Sequence, residues 1–189
     1  MARAEMMGAQ RVQAGDLILV KTPGFLFALG RWLTGNPYDH IAVVGRNGQS
    51  VNVAKPKVVL VPVERILTRK RAPLILRPAW QNDEQREHFV DCMGALADRP
   101  YDTARALRLL VRIILKRCCG WTVALKRPAL EQSRWICTDA ILMALQRQIP
   151  TWSEIEQLPL DWVQLGCSTT NDFIRLSTEL PKLLYAIQS

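Results

Sequence analysis

Long apolar runs are missing from this 189-residue chain. None reaches the roughly 18 uninterrupted apolar residues of a spanning helix, which argues against an integral helical membrane protein. The opening stretch, Met1 to Asp16, has no apolar core segment and no A-x-A-like cleavage site. No Sec signal peptide is therefore expected. The expected location is the cytoplasm, with a phage particle or another export route as the alternatives.

Histidine is scarce: only His40 and His88 occur. The five cysteines (Cys92, Cys118, Cys119, Cys137, Cys167) are odd in number and show no C-x-x-C spacing. They read as reduced thiols, neither a disulfide framework nor a metal set. His88 and Cys92 lie four apart, on one face of a helix, but offer two ligands where four-coordinate zinc needs more. No cofactor or metal is expected. The adjacent Cys118 and Cys119 suit packing better than an intrachain bridge, with acylation at a membrane surface as the other reading.

What is present is a foldable composition: 49% hydrophobic and 22% charged residues. One domain over residues 1–189 is expected, with 1–14 flexible and a core spanning about 15–177. The net charge of +8 is uneven. Between Arg99 and Arg134 nine basic residues face only Asp102 and Glu131.

Short apolar strands are expected at Asp16–Lys21, His40–Gly45, Val51–Ala54, Val58–Val61 and Ala72–Arg77, with a short helix from Phe25 to Leu33. Asn47-Gly48 between apolar runs is a strong hairpin signal. From Asn82 the period becomes helical. Helices are expected at Asp83–Ala97, Thr103–Lys116 and Trp135–Gln146, the last stopped by Pro150. A loop from Thr151 to Asn171 and a helical piece over Asp172–Ser177 follow. Strands first and helices afterwards define an α+β protein.

The Thr103–Lys116 segment places Arg105, Arg108, Arg112 and Lys116 on one narrow face, among leucines, isoleucines and valines. The first expectation is a helix buried on most sides with a thin solvated stripe. The alternative is a surface helix contacting an anionic lipid or polymer. It has no interleaved aromatics and no recognition-helix pattern, so specific nucleic-acid binding is not expected.

Cys137 opens a helix, where the positive end of the helix dipole favours thiolate. His40 opens an apolar strand after a polar approach. Brought together by folding, the two would form a nucleophile and general-base pair, with first-turn N–H groups facing an oxyanion.

Five motifs follow one order: Gly15-Asp16-Leu17-Ile18; Tyr38-Asp39-His40-Ile41-Ala42-Val43-Val44; Arg99-Pro100-Tyr101-Asp102; Ile136-Cys137-Thr138-Asp139; and Thr170-Asn171-Asp172-Phe173-Ile174 with Ser177. Together they resemble the circularly permuted branch of the NlpC-type, papain-like cysteine peptidases, the YiiX-like proteins. The resemblance implies a permuted papain-like α+β fold, an antiparallel sheet first and packed helices after it. It implies Cys137 as nucleophile and His40 as base in a hydrolase that cleaves an amide through an acyl-enzyme, first of all in a peptidoglycan stem peptide. Tyr101 matches a tyrosine near the family's cleft.

The residue that orients the imidazole comes from the next strand in that family. Asn52 is chemically suited, because an amide oxygen accepts from the imidazole N–H. Aligning Ala54-Lys55-Pro56 with the family's A-x-P places Val53 there instead, and Asp39 is the fallback. Lecithin retinol acyltransferase shares the order of histidine before cysteine, which keeps a lipid-acyl hydrolase or acyltransferase open, although its N-C-E-H signature is absent. A non-catalytic binding module on the same scaffold is the third reading.

Overall fold

The computed structural model describes residues 12–68, 73–126, 132–146, 160 and 168–187. Cys167, Arg127, Glu131, Pro150, the first eleven residues and most of the expected 151–171 loop lie outside the described residues. Among those described, no helix is long and apolar enough to cross a membrane.

The chain is a mixed α+β protein. It runs β1 (Leu17–Val20), α1 (Phe25–Thr34), β2 (His40–Val44), β3 (Gln49–Val53), β4 (Val58–Pro62), α2 (Val63–Ile66), β5 (Leu74–Pro78), α3 (Asp83–Gly94), α4 (Thr103–Cys119), α5 (Cys137–Gln146), α6 (Thr170–Glu179) and β6 (Leu184–Ile187). The strands form one sheet in the order β4-β3-β2-β1-β5-β6, antiparallel at every pairing. The hairpin signal is realised: Asn47 and Gly48 both take positive φ (54° and 68°). Gln49 N–H closes the turn onto Arg46 C=O at 3.0 Å. Positive φ at both central residues is the geometry that matches strand twist and favours Asn-Gly.

Alternation along the strands divides the core in two. Leu17, Leu19, Ile41, Val43, Val51, Val53 and Leu76 face the helical side, where they pack with Phe89, Met93, Ile141 and Phe173. Ile18, Val20, Ala42 and Val44 face the other side, covered by Val63 and Ile66 of the short α2. Caps fix where the helices begin. Asn82 Oδ1 accepts Gln85 N–H at 2.9 Å to start α3, and Asp102 Oδ1 accepts Arg105 N–H at 2.8 Å to start α4. Such caps satisfy first-turn donors that have no helical partner. Gly120, at φ 71°, closes α4 in the left-handed conformation.

Two expectations about order and packing are corrected. The strand region does not end at β5: β6 follows the last helix and pairs with β5 from Ile75↔Ile187 to Pro78↔Leu184. The packed core therefore runs past residue 177, with Leu184 buried in it. Nor is α4 buried on most sides. Only Leu109 and Ile113 are buried, whereas Leu107 and Val111 are 59% and 46% exposed.

Candidate active site

β2 and α5 bring the two chemistry-bearing residues to one end of the sheet. α5 enters after an isolated bridge between Tyr101 and Trp135, with Asp102 N–H on Trp135 C=O at 3.0 Å. That contact sets where the helix starts. Nine of its ten residues are buried, so its first residue, Cys137, is pressed against the helical face of the sheet.

The Cys137 thiol meets β2 at the backbone of Ile41, the residue after His40. The backbone N–H groups of Ile41, Thr138 and Cys137 itself all stabilise its ionised form. Burial outweighs them, and the nearby Asp139 carboxylate adds to it, pushing the thiol up to about 11. This corrects the expectation that the helix terminus alone would favour thiolate. A half-charge at a helix end contributes less than about 2 kcal/mol, and removing a thiolate from water costs more than that here. The thiol rests protonated.

His40 is half-buried at the head of β2, and its Nε2 lies 2.5 Å from Asn52 Oδ1. An amide oxygen only accepts, so Nε2 carries the proton and Nδ1 is left as the basic nitrogen. The hydrogen-bond partner of the ring on β3 is Asn52. β2 pairs with β3 at Val43↔Val51 and Val44↔Ser50, which sets Asn52 on the same alternation as His40 and one step along the diagonal. Val53 alternates into the core and is 1% exposed. Asp39 does not replace Asn52: its carboxylate accepts Thr22 N–H at 3.0 Å and is paired with Arg31.

Behind the thiol is a network that sequence spacing did not reveal. Asp139, fully buried, pairs with Arg105 Nε at 2.7 Å. Its other oxygen accepts both the backbone N–H and the hydroxyl of Ser168, at 2.7 and 2.8 Å. Thr138 donates its hydroxyl to Ser168 C=O at 2.6 Å, and Thr170 donates to Tyr38 C=O at 2.6 Å. The start of α6 is thereby tied to both α5 and the approach to β2. Arg105 is thus taken out of the expected basic stripe, its side chain only 12% exposed. An acid two residues after Cys137 and an arginine 34 positions before that acid carry no periodic signal linking them.

A groove of about 460 Å³ opens over Cys137. Leu26 and Phe27 of α1 form one wall, and Leu109, Leu110 and Ile113 of α4 the other. Tyr101, Asp39 and Thr138 line its inner end beside Cys137. His40 is not among the lining residues; it turns instead to Asn52. His88 lies away on α3, exposed, with Cys92 Sγ 3.8 Å from its Nδ1. No group of three or more metal-ligating side chains occurs among the described residues.

These features define a mixed α+β protein in which Cys137 meets the sheet at the backbone of Ile41 and the preceding residue, His40, pairs with Asn52. No protein-family model and no curated protein matches the chain. Among solved structures it is similar to the crystal structure of a protein described as metalloprotein YiiX, a DUF1105 protein from Escherichia coli O157:H7. The likeness is 15% identity over 72% of this chain and 81% of that one, with a TM-score of 0.41. A similarity of this size assigns neither family nor activity.

Proposed function

We propose that this chain is a cysteine-dependent acyl hydrolase or acyltransferase of the permuted papain-like type, acting on an ester or amide whose acyl group is a long apolar chain. The observation that carries the reading is the leucine- and phenylalanine-walled groove that Cys137 lines, its thiol against the backbone of Ile41, the residue after a histidine paired with Asn52.

The reaction follows from the protonation states. His40 Nδ1 takes the proton from Cys137 Sγ as the sulfur attacks the substrate carbonyl carbon, so thiolate forms only as it reacts. The carbonyl π electrons move to oxygen, where backbone N–H groups of the first turn of α5 face the developing charge. The tetrahedral species collapses, the C–O or C–N bond breaks, and the leaving group takes the proton from His40. Water, or an acceptor alcohol or amine, then gives its proton to His40 and attacks the thioester. The released thiol recovers that proton. Asn52 holds Nε2–H throughout, which leaves Nδ1 as the nitrogen that exchanges the proton.

A peptidoglycan stem peptide, the substrate the sequence resemblance implies, fits the groove less well. Such peptides carry carboxylates and amines, and the groove's own charged groups, Arg31 and Asp39, are engaged with each other. Chromogenic esters of short and long fatty acids, assayed beside muropeptides, test the reading. Hydrolysis rising with chain length and lost in Cys137→Ala and His40→Ala is expected. Muropeptide cleavage without ester turnover would overturn the acyl-chain assignment, and activity retained by Cys137→Ala would overturn the mechanism.

A further inference from the structure

Helix α1 is an anomaly of packing. Its ten residues, Phe-Leu-Phe-Ala-Leu-Gly-Arg-Trp-Leu-Thr, include no buried one. Phe25 and Leu26 are 78% exposed and Trp32 is 70% exposed. Short helices are marginal in water and are normally held by an apolar face buried against the rest of the fold. Here that face is outside. Beside it, α4 exposes Leu107 and Val111, and Arg117 Nη1 ties the two helices together by donating to Trp32 C=O at 2.8 Å. Contiguous exposed apolar surface of this kind marks an interaction site.

Charge identifies the occupant. Neither α1 nor α4 contains a single Asp or Glu, and together they carry Arg31, Arg105, Arg108, Arg112, Lys116 and Arg117. Arg31 and Arg105 are engaged by Asp39 and Asp139; of the other α4 cations, Arg108 and Arg117 are exposed, with no acid on either helix. Aromatic and aliphatic side chains flanked by cations, without acids, match the boundary between acyl chains and anionic headgroups. A protein partner with an acidic apolar surface would not explain the second feature: Leu26, Phe27 and Leu110 of this same face are also walls of the groove that leads to Cys137.

We infer that the α1–α4 face docks on an anionic phospholipid bilayer and opens the groove directly to it, so that an acyl chain enters without crossing water. This rests on, and deepens, the reading of Cys137 as an acyl-transfer nucleophile, but its test does not require turnover. The full chain is sedimented with vesicles of phosphatidylcholine, with and without phosphatidylglycerol. Binding to the anionic vesicles, weakened by added salt, is expected. The triple variant Phe25→Ser, Leu26→Ser, Trp32→Ser should bind about a hundredfold more weakly, given the apolar area it withdraws. Its melting curve should be unchanged, since none of the three is buried. Cys137→Ala should bind as the parent does, and its loss of turnover reports separately on the catalytic reading. No vesicle binding, or binding untouched by the triple variant, would overturn the inference. So would a parent chain that sediments as a dimer and a variant that is monomeric, because the face would then belong to a second copy.

Discussion

Helices α1 and α5 are each ten residues long and each rich in apolar side chains, yet nine residues of α5 are buried and none of α1 is. Composition does not separate them; surroundings do. α5 lies against the sheet face built by Ile41, Val43 and Val51, and Phe173 of α6 joins the same core. Its polar residues are satisfied from within by Arg105 and Ser168. α1 lies at the periphery, held by Arg117 and by the ion pair of Arg31 with Asp39. The first helix fixes the position of a thiol; the second offers apolar surface next to it. The proposed acyl substrate would need such a buried base beneath the sulfur and an open apolar rim above it.

If α5 is the closed region, the largest cost should come from opening its network. Asp139→Ala leaves the largely buried Arg105 guanidinium without its carboxylate and two Ser168 donors without an acceptor. Destabilisation of about 3 kcal/mol is expected in urea unfolding. A change below about 0.5 kcal/mol, ordinary for surface sites, would show that α5 is not anchored this way. Asn52→Ala removes the hydrogen bond that fixes the His40 ring, and a drop of about a hundredfold in kcat with little change in stability is expected from the lost orientation. An unchanged kcat would detach Asn52 from the chemistry.

A third consequence concerns pH. The thiol of Cys137 is raised in the folded chain from 9.0 to about 11. A raised value means the fold binds the proton more tightly than the unfolded chain does. The stabilisation is therefore complete below pH 9 and is lost as the pH climbs through about 11. Chemical unfolding should show a loss on the order of 2 kcal/mol over that interval that is absent in Cys137→Ser. The smallest effect belongs to the open region: Leu26→Ser should shift stability by less than about 0.5 kcal/mol, as at other exposed sites. A large loss would mean that α1 is packed after all.

Local geometry was legible in the sequence where it depended on short range. Asn47-Gly48 marks a hairpin, and the hairpin brings Asn52 beside His40. A helix beginning at Cys137 follows from the apolar run after it. What was hidden depends on distance or on environment. β6 is a four-residue strand whose pairing with β5 joins residues more than a hundred positions apart. The Arg105–Asp139 pair joins helices 34 positions apart, which no periodicity encodes. The orientation of α4 was misread because an amphipathic pattern shows that a helix has an apolar face, not whether that face meets a core or a solvent boundary. The thiol's charge state was misread because burial, a tertiary property, overrides the local field of the helix.

The most direct test is the intact mass of the protein after brief mixing with a long-chain acyl ester. The account predicts an adduct of the acyl mass, mapped to Cys137, released by hydroxylamine as a thioester and missing in Cys137→Ser. Consumption of the ester with Cys137 unmodified, or an adduct mapped to another residue, would contradict it.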